Sequence, residues 1–143
     1  MTILALDQST KLTGWAWYQD DQCVQYGAID LSRNEDPAGR FIAMCEAVVD
    51  LIKEVRPGFL VMEGVAFQRN AAALIELAQL QGVIIGACLR YQIEFYIYPP
   101  SSWRKELGFA QGKGIKREDL KRQAVAYVKE LLGRCLLYTS RCV

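Results

Sequence analysis

Two acidic residues stand out because each one ends a short apolar stretch. Asp7 follows the run Thr2–Leu6, and Glu63 follows Phe59–Met62. Ligands of open α/β sheets gather at the carboxyl ends of neighbouring parallel strands, so two acids placed there would lie close together. Close carboxylates repel each other and favour a shared proton or a divalent cation between them.

Carboxylate oxygens are hard ligands, and the chain has no histidine. The predicted cation is therefore Mg²⁺ or Mn²⁺, which activates water and stabilises the leaving oxygen in phosphodiester hydrolysis. Either acid taken alone could instead cap the turn or helix that follows it. The metal site is predicted from the two acids together.

The surrounding pattern predicts the elements that must position these acids. Strand 1 ends at Asp7, and β-rich stretches at 15–18 and 23–29 around an Asp20-Asp21 turn complete a three-stranded meander. Pro37 begins an amphipathic helix that ends near residue 56. A buried strand at 59–62 then leads to Glu63.

The second half of the chain continues this alternation. Asn70 is predicted to cap a helix that runs to Tyr91, and Gly82 and Gly86 are expected to let that helix approach the sheet closely. A fifth strand at 94–98, a short helical turn after Pro99-Pro100 and a last helix at 116–132 follow. The order βββαβαβα predicts one α/β domain with a mixed five-stranded sheet flanked by helices.

Composition excludes several classes of protein. No apolar run approaches the roughly 20 uncharged residues of a membrane span, so we expect a cytoplasmic protein without a membrane partner. The five cysteines form no C-x-x-C pair, which argues for reduced thiols and against structural zinc. Without histidine, Ser-His-Asp and Cys-His catalysis are both excluded.

The net charge of +1 hides an asymmetry along the chain. Residues 1–100 hold seven Lys and Arg against twelve Asp and Glu, whereas residues 101–134 hold nine against four. A basic C-terminal third is typical of a surface that binds a polyanion, although solvated helix faces show the same composition.

Several motifs resemble those of one nuclease family. The segment Leu4–Ala16, with its aspartate at the end of strand 1 and Gly14 entering strand 2, resembles the first motif of RuvC-like Holliday junction resolvases of the phage type. Val61–Val65 is similar to the second motif, with its glutamate on the adjacent strand. Segments 78–82 and 98–105 resemble the corresponding helix and loop.

The resemblance covers residues 2–134 and implies a ribonuclease H-like fold with strand order 3-2-1-4-5. It implies a homodimer that resolves four-way or branched DNA with two metal ions, in which Asp7 and Glu63 are catalytic metal ligands. It also implies a final helix that begins with paired acids beyond this chain. We therefore expect the domain 1–134 to be incomplete, less stable than its parent and impaired in cutting.

Residues for DNA contact are predicted from their position and charge. Arg69 and Asn70 lie just beyond Glu63, and further predicted phosphate contacts are Lys113, Lys116 and Arg117. Phe67 could wedge against bases at the junction centre or simply pack. Trp103 is interpreted as a core or loop anchor, and Lys121 and Arg122 as a solvated face.

The tail 135–143 has no periodicity continuous with the last helix. It resembles a translated sequencing adapter, and we hypothesise that it is non-native or disordered. Two other functions stay open: a fragment of an actin- or sugar-kinase-like ATPase, which usually has glycine where Gln8 stands, and a DNA-binding module without catalysis.

Overall fold

A computed structural model of the chain describes residues 1–66 and 69–132. The order of elements in these residues is β1 (Thr2–Asp7), β2 (Leu12–Gln19), β3 (Gln22–Asp30), α1 (Pro37–Val55), β4 (Phe59–Glu63), α2 (Ala71–Tyr91), β5 (Glu94–Tyr98), α3 (Pro100–Glu106) and α4 (Arg117–Leu132). The predicted helices and strands are all present, and the helical turn after Pro99 is the short helix α3.

The five strands form one sheet in the order β3-β2-β1-β4-β5, as expected. The meander β1-β2-β3 is antiparallel, whereas β4 pairs with β1 and β5 in parallel. At the Asp20-Asp21 turn both residues have positive φ, which matches the right-handed twist of a tight hairpin. The bulge of the meander lies between Trp17 and Tyr18, while Gly14 pairs directly with Asp7.

Local capping explains where the two long helices begin and end. The Asp36 carboxylate accepts a hydrogen bond from the Gly39 N–H ahead of α1, and the Asn70 side chain accepts from two backbone N–H groups ahead of α2. Such caps satisfy donors that the first helical turn leaves unpaired. Arg56 and Gln92 end these helices in the left-handed conformation.

The hydrophobic core lies between one face of the sheet and the helices α1 and α2. It is built from fully buried side chains that include Leu4, Leu60, Met62, Val48 and Ile84. Because side chains alternate along a strand, the next residues, Asp7 and Glu63, project from the opposite face. The core therefore fixes which side of the sheet carries the acids.

The expected role of Gly82 and Gly86 is wrong. A Cβ built on either glycine would meet no atom within 4 Å, and both residues are exposed on the side of α2 that faces away from the sheet. The buried side chains of α2 are Leu80, Ile84, Ala87 and Cys88. The helix is apolar almost all round, so its sequence period does not indicate which side packs.

The exposed side of α2 carries a row that we call the α2 stripe: Ile75, Gln79, Gly82, Gly86 and Leu89. Ile75 is 56% and Leu89 68% exposed. By length and composition α2 is also apolar enough to cross a membrane, although Glu76 and Arg90 interrupt it, so it is not an uncharged run of the predicted kind. Its buried side chains pack in the domain core, as those of a core helix do.

Three cysteines lie in the described part of the chain, Cys23, Cys45 and Cys88, and all three are free thiols, as predicted for them. Burial raises the pKa of the Cys88 thiol to about 11, so this side chain behaves as a small apolar residue. The predictions about the tail 135–143 and about the end of the domain at residue 134 concern residues outside the described ones.

Candidate metal centre and nucleic-acid interface

The register of the central strands brings the two acids together. β1 and β4 run parallel with Leu6 level with Met62, so the next residues, Asp7 and Glu63, lie side by side at the carboxyl ends of both strands. Both face away from the helices α1 and α2. The predicted neighbourhood of strands 1 and 4 is thereby confirmed.

Asp7 lies in a crowded but open position. Solvent reaches its side chain, yet the surrounding protein atoms displace enough water to raise the pKa of this carboxyl above its usual value. The positive charges of Arg104 and Lys121 act in the opposite direction and lower that pKa. Gly14 lies opposite Asp7. A Cβ added to Gly14 would lie 3.8 Å from the Asp7 Cβ, at van der Waals distance.

The Glu63 carboxylate is held from one side. The Trp103 indole Nε1–H donates a hydrogen bond to Glu63 Oε1 over 3.0 Å, and Arg104 Nη2 lies 3.6 Å from the same oxygen. No side chain in residues 1–66 or 69–132 donates to the other oxygen, Oε2. Both residues belong to α3, which follows the neighbouring strand β5.

The backbone at the end of β4 is clamped as well. The carbonyl of Glu63 accepts hydrogen bonds from Gln8 Nε2 over 2.6 Å and from Gln81 Nε2 over 3.0 Å. Gln8 comes directly after Asp7 and is buried, so one side chain links the two acidic positions. Gln81 reaches the same carbonyl from α2.

This arrangement fits a divalent cation. Two carboxylates with oxygen donors open to solvent match the ligands that Mg²⁺ and Mn²⁺ prefer. The described residues contain no group of three or more acidic, histidine or cysteine side chains that could hold a metal ion. Asp7 and Glu63 would therefore supply two ligands, and water or DNA phosphate oxygens can supply others.

Comparison with known proteins decides the family. The family "Crossover junction endodeoxyribonuclease RuvC" matches residues 3–134, which is nearly the whole chain. A curated RuvC of Dictyoglomus thermophilum is 32% identical over 104 residues, covering 70% of this chain and 66% of the relative. A RuvC of Caldicellulosiruptor saccharolyticus is 25% identical over 138 residues, covering 93% of this chain and 80% of the relative.

The chain belongs to the RuvC family.

Solved structures agree in fold. The chain resembles Thermus thermophilus RuvC in complex with a Holliday junction substrate, with a TM-score of 0.70, 16% identity and coverage of 93% of this chain and 79% of that one. It resembles the Fowlpox virus resolvase in complex with Holliday junction DNA with a TM-score of 0.63, 14% identity and coverage of 99% and 80%. The ribonuclease H-like prediction is thus confirmed.

The basic residues predicted to contact DNA occupy two places in this RuvC-family chain. Lys113, Lys116 and Arg117 are exposed on the loop before α4 and at its start. That loop contains Gly108, Gly112 and Gly114, all with positive φ, which only glycine adopts readily. Gln123 fastens the loop to α4 by hydrogen bonds in both directions with the backbone of Ala110.

The other predicted contacts lie beyond β4. Arg69 and Asn70 are exposed, and Asn70 Oδ1 is engaged in capping α2, which leaves its amide N–H groups for a ligand. The predicted wedge, Phe67, lies outside the described residues. Contact of Arg69, Asn70 and Phe67 with DNA stays a prediction.

Sequence reasoning missed the residues that surround the acids: Gln8, Gln81, Trp103, Arg104 and Lys121. Trp103 was predicted to be a core or loop anchor, and Lys121 part of a solvated face. Trp103 contacts the loop residue Phe109, as a loop anchor would, and also bonds to Glu63. Lys121 is exposed, as predicted, and is also close enough to lower the pKa of Asp7. One signal could have indicated Trp103 and Arg104: residues 101–105 directly follow strand 5, which was predicted to lie beside the strand that ends at Glu63.

Replacing Asp7 by Asn should stabilise the metal-free fold at neutral pH. The folded protein raises the pKa of this carboxyl, so its ionised form opposes folding once the pH lies above the folded pKa. Thermal unfolding in EDTA at pH 7 should show a higher Tm for Asp7→Asn than for the parent. The gain should vanish below the unfolded pKa near 3.8, and a lower Tm at pH 7 would contradict the assigned environment.

Proposed function

We propose that this chain is a metal-dependent endonuclease that cuts four-way (Holliday) or related branched DNA junctions. The observation that carries the proposal is the parallel register of β1 and β4, which places Asp7 beside Glu63 in a chain that matches the RuvC family over residues 3–134. The curated relatives are named crossover junction endodeoxyribonucleases, and two structures of similar fold contain Holliday junction DNA.

Asp7 and Glu63 would hold Mg²⁺ or Mn²⁺ between the two strand ends. When bound, such an ion lowers the pKa of water and stabilises charge on phosphate oxygens during hydrolysis. The chain's own residues prepare the place: Gln8 and Gln81 fix the backbone of Glu63. Arg104 and Lys121 add positive charge beside the acids, where a DNA phosphate must approach.

Binding of the DNA backbone is assigned to a different surface. The exposed cations Lys113, Lys116 and Arg117 lie on the connection from α3 to α4 and at the start of α4, and the exposed Arg69 and Asn70 directly precede α2. Contacts with phosphates carry no sequence information, which suits an enzyme that selects the shape of a junction. We propose that the protein acts in the cytoplasm, where DNA and reduced thiols occur together.

Asp7→Asn or Glu63→Gln should abolish cutting while leaving junction affinity nearly unchanged. Each change removes a metal ligand but no phosphate contact. The assay is cutting of a labelled four-way junction under single-turnover conditions in Mg²⁺ and in Mn²⁺, with affinity measured separately in Ca²⁺. Excess protein and long incubation make weak cutting detectable.

Glu94→Gln is the matched control, because Glu94 is the first residue of β5 and lies level with the start of β4, away from the strand ends that carry Asp7 and Glu63. This variant should cut like the parent. Cutting by Asp7→Asn would remove Asp7 from the mechanism. Tight, magnesium-independent junction binding with no cutting in either metal would favour a DNA-binding module without catalysis.

Changing Lys113 and Lys116 together to alanine should weaken junction binding and reduce its salt dependence. Each lysine is expected to neutralise one phosphate, so removing both should lower the slope of log affinity against log salt by about two. Titrations at several salt concentrations measure this slope. The double variant Arg33→Ala, Lys53→Ala removes the same charge from exposed positions on other elements and should leave the slope unchanged.

We also propose a homodimer in which the α2 stripe of one copy packs on that of the other. The stripe residues are spaced alternately four and three positions apart, the spacing of a helix–helix seam. Its two glycines have open space around them, so two helix backbones could approach closely. The exposed Ile75 and Leu89 would be buried at the two ends of the seam.

Gly82→Glu should convert the dimer to a folded monomer. The new side chain has room in the single chain, but across a two-fold seam it would place two negative charges together. Light scattering coupled to gel filtration measures the mass, and circular dichroism checks the fold. Ala126→Glu, on an exposed position of α4, is the control that should remain dimeric. A dimer that survives Gly82→Glu would exclude the stripe.

A further inference from the structure

We propose that Trp103 is the positioning residue for the Glu63 carboxylate, holding Oε1 so that Oε2 is presented to the divalent cation. The inference rests on the proposed function, because it assigns a role within the same site. It goes further in naming a residue outside the two acids whose loss would weaken metal binding without removing a ligand.

The contact itself is directional. The indole has a single N–H donor and no acceptor, and this donor lies 3.0 Å from Glu63 Oε1. A hydrogen bond to an ionised carboxylate is among the stronger ones that a neutral donor can make. A glutamate side chain has several rotatable bonds, so a fixed donor restricts where its second oxygen can point.

The indole is itself held in place. β4 and β5 are tied at their ends by a hydrogen bond from the Gly64 N–H to the Tyr98 carbonyl over 2.7 Å, and α3 begins two residues later. The ring then contacts Phe109 edge-on, with centroids 5.7 Å apart, and the Arg104 guanidinium lies 5.2 Å from its centroid. Trp103 can therefore act as a rigid donor.

Arg104 has a different role from Trp103. Its Nη2 lies 3.6 Å from the same oxygen, beyond the usual range of a hydrogen bond, and its charge also acts on Asp7. The indole is neutral, so it can orient Glu63 without competing for the site.

The test is Trp103→Phe, which keeps an aromatic ring on Phe109 but removes the donor. Binding of Mn²⁺ is measured by electron paramagnetic resonance of the free ion, and junction cutting is measured against Mg²⁺ concentration. Loss of a group that orients a metal ligand typically weakens metal binding or activity roughly 10- to 100-fold. We expect about tenfold weaker Mn²⁺ binding and a matching rise in the Mg²⁺ concentration for half-maximal rate.

Trp17→Phe is the matched control, because the Trp17 indole nitrogen is buried and has no hydrogen-bond partner among the described residues. It makes the same chemical change without touching the site and should bind Mn²⁺ like the parent. A change of less than about twofold in both measurements for Trp103→Phe, with a parent that binds and cuts, would overturn the inference. An unsubstituted chain that binds no Mn²⁺ would instead overturn the proposed function.

A second measurement does not depend on a variant that folds. In the ¹⁵N-labelled parent, the indole N–H resonance of Trp103 should exchange slowly with water and shift when Mg²⁺ is added. Rapid exchange, or a resonance that ignores Mg²⁺ while backbone signals near Asp7 move, would overturn the proposal.

Discussion

The parallel pairing of β1 with β4 sets how far apart the backbones of the two acidic residues lie, because neighbouring strands are about 4.8 Å apart. Asp7 and Glu63 inherit that spacing from a register set by the buried pairs Leu4–Leu60 and Leu6–Met62. A shift of one residue would turn either acid into the apolar core. The packing of the apolar face of the sheet thus determines where the two acids lie on the other face.

The residues around the acids divide into neutral and charged groups with different effects. Gln8, Gln81 and Trp103 are neutral donors that hold Glu63 in place without adding charge to the site. Burial raises the pKa of Asp7, whereas the positive charges of Arg104 and Lys121 lower it. The pKa of Asp7 is raised overall, so its ionised form is unfavourable in the metal-free protein. A bound cation would stabilise that ionised form.

Most of the fold could be predicted because local signals and global topology agree. Alternation marked the meander, Pro37 and Asn70 marked helix starts, and the two acids ending apolar strands marked the site edge. The packing of α2 could not, since a helix that is apolar almost all round has no marked face. Trp103 and Lys121 reach the acids through tertiary placement of α3 and α4, which no short-range pattern encodes.

Trp103, Phe109 and Tyr127 form a continuous row of rings in edge contact, with successive centroids 5.7 and 5.9 Å apart. Helix α4 fully buries none of its own residues, and the row joins it to α3 through side-chain contacts. The same row ends on the indole that holds Glu63. The helix that begins beside the predicted phosphate contacts is therefore connected, through side chains in direct contact, to the carboxylate predicted to bind the metal.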